Sequence, residues 1–122
     1  MKESIVKGKS MNFAIRIVRC YKFLSEERHE YTLSKQLLRC GTSIGANVKE
    51  ALRGQSVPDF AAKMNISLKE ASECEYWIEL LEKTEYLPTN IAESLLKDCQ
   101  ELIKMLTSIV KTSKEQNGTM DS

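Results

Sequence analysis

The chain has 122 residues, 42% of them hydrophobic and 29% charged, with five glycines and two prolines, which fits one domain with a single core that needs no disulfide or metal. The opening MKESIVKGKS is too polar for a secretory signal and no apolar run reaches a membrane-span length, so a soluble cytoplasmic protein with no membrane partner is expected. The net charge of +1 hides an asymmetry: residues 1–57 hold eleven cations against five anions, the remainder seven against twelve. Such a split suits a basic surface for polyanions, or contact between the basic half of one copy and the acidic half of another.

Helical periodicity runs through four segments. Over residues 11–26, Phe13, Ala14, Ile17, Val18, Tyr21 and Leu24 form an apolar stripe, with the basic residues Lys9, Arg16, Arg19 and Lys22 across from it. A polar link follows at residues 27–32. The second helix starts at Thr32 or Ser34 as N-cap and stops before Gly54, which is expected to take the left-handed conformation. Its core stripe is Leu33, Leu37, Cys40, Ile44, Val48 and Ala51. Beside it Gln36, Arg39, Ser43, Asn47 and Glu50 fall within an arc of roughly 80°. Gly41 and Gly45, four residues apart, each cost about 1 kcal/mol of helix propensity, which is easiest to explain by a closely approaching helix.

Ser56, Pro58 and Asp59 start the third helix, which continues to Thr84. It carries a core face of Phe60, Met64, Leu68, Ala71, Cys74, Ile78 and Leu81 and a second apolar face of Ala62, Ile66, Trp77 and Leu80. Two apolar faces suggest a neighbouring subunit. After a short turn capped at Asn90, with Glu93 completing a capping box, the fourth helix spans residues 91–112 and buries Ile91, Leu95, Cys99, Leu102, Ile103, Leu106, Ile109 and Val110. The tail is expected to fray, leaving an ordered core of about residues 8–113 and a polar tail at 114–122. Short links make successive helices antiparallel, so the expected fold is an all-α, up-down-up-down four-helix bundle occupying residues 1–122 as one domain.

No enzyme chemistry is legible. His29, in the polar link, lacks a second histidine, and no GxSxG, HExxH or P-loop motif occurs. The carboxylates Glu70, Glu73, Glu75, Glu79 and Glu82 lack the Glu-x-x-His partners of a di-metal bundle. Cys20, Cys40, Cys74 and Cys99 fall on four different helices and read as buried thiols; a Cys-only site would need all four on one level. No catalytic residue, metal or cofactor is expected. The most specific constellation is the polar stripe Gln36, Arg39, Ser43, Asn47 and Glu50, read as a structural network at a helix or subunit contact in which the fork of Arg39 meets a carboxylate such as Glu70. Gly41, Gly45, Ile66, Trp77 and Leu80 are the candidate oligomer face. Lys9, Arg16, Arg19 and Lys22 are candidate phosphate contacts, which a ring of copies would multiply.

The run LSKQLLRCGTSIGANVKEALRG, the later element Ser67-Leu68-Lys69-Glu70 and the turn Tyr86-Leu87 resemble the small four-helix-bundle proteins encoded in intervening sequences of bacterial 23S ribosomal RNA genes, the S23 ribosomal protein family. The resemblance implies a homopentameric ring with a central channel. It also implies kinship with the accessory variability protein of diversity-generating retroelements, a basic pentamer that binds nucleic acid and a reverse transcriptase. The expected function is therefore a non-enzymatic, self-assembling scaffold with weak RNA or DNA association. The alternative is a protein-binding module partnering a nucleic-acid enzyme. This chain departs from the pattern at Gly45, where the family often has proline, at Glu50-Ala51, where it often reads Glu-Gly, and in its near-neutral charge.

Overall fold

The computed structural model describes residues 2–121, with side chains through residue 116. Four helices follow one another: α1 (Lys2–Glu26), α2 (Leu33–Leu52), α3 (Val57–Lys83) and α4 (Thr89–Asp121). No strand occurs among the described residues. Each helix packs against its sequence neighbours, and α1 closes the bundle against α4. Contacts set the directions. Ile17 meets Gly41 and Ser10 meets Gly45 across α1 and α2. Arg39 meets Glu73 while Ile44 meets Ser67 across α2 and α3. Lys2 meets Ser108, and Arg16 meets Ser94, across α1 and α4. In each pair one number rises as the other falls, so neighbours run antiparallel.

Inward stripes hold the core as the periodicity predicts. Phe13, Ile17 and Leu24 of α1 face Leu37, Ile44 and Val48 of α2, Met64, Ile78 and Leu81 of α3, and Leu95, Leu102 and Leu106 of α4, all but sealed from solvent. Val18 and Ile91 depart from expectation: both are exposed, Val18 on the outward face of α1 and Ile91 in the first turn of α4, at the rim of the space between α1 and α4. Leu87 and Ala92 take the buried places at that end instead.

Both outer helices are longer than periodicity suggests. α1 begins at Lys2, nine residues before the predicted start, with Val6 and Ser10 continuing the inward stripe. Polar residues dominate this stretch and obscure that stripe. The predicted frayed tail is helical as far as Asp121; Ser122 lies outside the described residues. Ser113 is buried there and its hydroxyl donates to the Ile109 carbonyl. The N-terminal extension is tied to α4, as Lys2 Nζ donates to Ser108 Oγ.

Helix ends also differ from expectation. Thr32 precedes α2 but makes no side-chain cap. The cap is Glu30, whose carboxylate accepts from the N–H groups of Thr32, Leu33 and Ser34, while Ser34 Oγ donates to the Glu30 carbonyl. At the other end Arg53 closes the helix, and no glycine takes a positive φ among the described residues; a Cβ at Gly54 would instead meet Asp59 Oδ2 and the Ala51 carbonyl. The left-handed residues are His29 and Glu85, in the turns that leave α1 and α3. Ser56 caps α3 as expected, accepting from the Asp59 N–H at 3.1 Å. α4 starts at Thr89, with Ala92 N–H on the Pro88 carbonyl, so Asn90 sits inside the first turn rather than capping it.

Candidate functional site

The cross-helix chemistry begins at Arg39. It leaves α2 beside α3, where Glu70 and Glu73, three residues apart, lie on one face. Arg39 Nη1 donates to Glu70 Oε2 at 3.1 Å and Nη2 to Glu73 Oε1 at 2.7 Å. Trp77 Nε1 donates to the same Glu73 oxygen at 3.2 Å. The hydrogen bond from Arg39, aided by Trp77, holds the Glu73 carboxyl below the usual carboxylate range; the bond to Glu73 raises the Arg39 guanidinium in turn. The Arg39–Glu70 contact expected from sequence is therefore one arm of a fork. The remaining stripe divides. Glu50 pairs with Lys63 of α3. Ser43 donates to the Arg39 carbonyl and Asn47 to the Ser43 carbonyl, both within α2, while Gln36 is exposed. Because the Arg39 side chain is half-exposed, a double-mutant cycle of Arg39→Ala and Glu73→Ala in thermal melts should give a coupling of about 0.5–1 kcal/mol. Strict additivity would mean that the fork stabilises nothing.

Lys9, Arg16, Arg19 and Lys22 do not form one free stripe. Lys9 pairs with Glu101 of α4. Arg16 Nη1 reaches Asp98 Oδ2 at 2.7 Å and the Ser94 carbonyl, and its Nη2 donates to Ser94 Oγ. Arg19 and Lys22 are exposed, with no ion-pair partner among the described residues. The charge asymmetry of the sequence thus closes partly inside one molecule, as cations of α1 and α2 meet carboxylates of α3 and α4. Periodicity offered no signal for this, since the pairing depends on the register between α1 and α4.

The candidate oligomer face is also redistributed. Gly41 is buried and serves the α1–α2 contact, while Gly45 lies beside Ser10 of α1, so neither is free for a neighbouring subunit. Trp77 and Leu80 are partly buried, and Ile66 is exposed. A different apolar face lies open on α1: Met11 is 60% exposed, Ile15 42% and Val18 38%, with Arg19 and Lys22 beside them.

All four cysteines are free and buried. Cys74 Sγ donates to Cys40 Sγ at 3.0 Å, and Cys99 Sγ donates to the Ala71 carbonyl. The hydrogen bond with Cys40 and burial push the Cys74 thiol up; burial pushes Cys99 to about 12 and Cys20 to about 11. Each of these three is a protonated thiol at neutral pH and so a slow nucleophile. No group of three histidine, cysteine or acidic residues that could hold a metal occurs among the described residues. His29 is exposed, its Nδ1 3.1 Å from the Tyr31 hydroxyl. No described helix is long and apolar enough to cross a membrane. A concavity of about 530 Å³ lies between the second half of α1 and the start of α4, lined by Arg16, Arg19, Cys20 and Phe23 on one side and by Leu87, Pro88, Asn90, Ile91 and Leu95 on the other.

Four antiparallel helices, cross-linked by surface ion pairs around a sealed apolar core, define a small helical-bundle protein. The chain belongs to the 23S rRNA-intervening sequence protein family, which matches it over residues 2–108. It is similar to a crystal structure of a protein with unknown function from the S23 ribosomal protein family of Bacteroides thetaiotaomicron, at 55% identity and a TM-score of 0.89, covering 91% of this chain and 99% of that one. No curated protein matches the sequence.

Proposed function

We propose that the chain is a non-enzymatic protomer that assembles with copies of itself into a ring, five copies by the family resemblance, in the cytoplasm. Four free thiols suit a reducing compartment. The observation that carries the reading is the open α1 face of Met11, Ile15 and Val18, on the far side of the helix from Phe13, Ile17 and Leu24. An apolar helix face without an intrachain partner favours burial against another protein surface. Light scattering coupled to gel filtration should give a mass several times the 13.9 kDa of one chain. Replacing Ile15 and Val18 together by glutamate should reduce it to one chain with helicity unchanged. A wild-type monomer at tens of micromolar would overturn the assembly.

Nucleic-acid association is the secondary activity of this reading, supported by the unpaired Arg19 and Lys22 beside that face. With Lys9 and Arg16 already engaged, the association is weak per protomer and gains strength from repetition around the ring. Anisotropy titrations with single-stranded RNA should lose affinity steeply as salt rises, and more so than for Arg19→Ala/Lys22→Ala. Assembly without any salt-sensitive RNA binding would favour the alternative, a protein-binding accessory module for a nucleic-acid enzyme.

A further inference from the structure

The groove between α1 and α4 is bounded at both ends. At one end Arg16 bridges to Ser94 and Asp98, tying the two helices together. At the other the turn between α3 and α4 brings in Leu87 and Pro88. Residues 16 to 23 of α1 set its length at about 10 Å. Its deep positions are apolar and almost closed to solvent: Leu95, Leu87 and Cys20, the last 7% exposed. Phe23 and the 41%-exposed Ile91 form its more open walls. Its volume of about 530 Å³ lies within the range of small-molecule sites.

Charge within this bowl is one-sided. Two guanidinium groups line it and no carboxylate does. Arg16 is neutralised by Asp98, whereas Arg19 has no ion-pair partner among the described residues. The lining therefore offers an apolar floor and one uncompensated positive charge. A helix from another protein would need an open-ended channel, which the Arg16 bridge and the Leu87–Pro88 turn interrupt. We propose that this groove is a binding site for a small monocarboxylate with an apolar body about 10 Å long, its carboxylate paired with Arg19 and its body over Cys20, Phe23, Ile91 and Leu95. Burying that body removes Ile91 and Phe23 from water, and a single anionic group leaves the site neutral.

Cys20 supplies the readout, because the other three thiols have no exposed surface and Cys20 retains some. The full-length protein is labelled with N-ethylmaleimide at mildly alkaline pH and followed by peptide mass mapping, with Cys40, Cys74 and Cys99 as internal controls. Decanoate, kept below its micellar concentration, should slow Cys20 labelling at least about tenfold at saturation, while decyltrimethylammonium at equal concentration leaves it unchanged. Arg19→Gln should raise the decanoate concentration needed about tenfold, the loss of one charge-assisted contact. If Cys20 labels too slowly to follow, the methyl resonances of Ile91 and Leu95 report the same titration. Three results would overturn the site: no protection by decanoate, equal protection by both amphiphiles, or protection that rises with protein concentration without ligand. The last would mean that a second copy fills the groove.

Discussion

Glu30→Ala lowers stability by about 2–3 kcal/mol and the melting temperature by roughly 10 °C, among the largest effects expected of any polar substitution in the chain. The carboxylate is the sole side-chain cap of α2, and the residue is 7% exposed. It accepts three backbone N–H bonds at 3.1, 2.8 and 2.7 Å. Its own N–H bonds to the Leu24 carbonyl at 2.9 Å, so one residue ends α1 and begins α2. Glu30→Gln keeps one acceptor oxygen but turns an amide N–H₂ toward backbone donors, and should lose most of the same stability. Burial alone would raise the Glu30 carboxyl, but the bonds from Leu33, Ser34 and Thr32 outweigh it and hold the group below its ordinary value of 4.5. A depressed folded value means that the stabilisation is complete above the unfolded value and is lost as pH falls through the folded one. Wild type should therefore lose stability below about pH 4.5 faster than Glu30→Ala does, with the difference between them shrinking toward acid. Melts from pH 7 to pH 3 check this; two curves a constant distance apart would remove Glu30 as the cause.

The two glycines of α2 should respond with opposite signs. A Cβ at Gly41 would stand 2.7 Å from Ile17 Cγ2 and 2.8 Å from Cγ1. Those atoms belong to a fully buried β-branched side chain that cannot swing aside without disturbing the α1 packing. Gly41→Ala gains about 1 kcal/mol of helix propensity but loses more to overpacking, for a net destabilisation of about 1–2 kcal/mol. Gly41→Leu should separate α1 from α2 and cost about 3 kcal/mol or more. At Gly45 the nearest atom to a Cβ is Ser10 Oγ at 3.4 Å, an ordinary contact, so Gly45→Ala should stabilise by about 0.5–1 kcal/mol. Urea denaturation of the two alanine variants decides the matter, and the same sign at both positions would contradict the packing seen here.

Periodicity determined a good deal of this molecule. The inward stripes of α2 and α3, the Ser56 cap and the number of helices follow from which residues recur every three or four positions, a local property of the chain. The pairing of Arg39 with Glu70 was also legible, because α2 and α3 are adjacent in sequence and joined by a short link. Glycines at 41 and 45 pointed to a close helix, and the structure identifies it as α1 of the same chain rather than another subunit. What the sequence could not supply was register between helices far apart in the chain. Lys9 and Arg16 look like free cations until α4 places Glu101 and Asp98 against them. Residues 2–10 and 113–121 are too polar to declare themselves helical, yet Val6, Ser10 and Ser113 are buried once the bundle closes. Glu30 reads as link polarity until the turn folds its carboxylate onto three amides. A helical repeat specifies which face turns inward, whereas the residue that lies opposite it depends on the relative translation of two helices, and only tertiary packing fixes that distance.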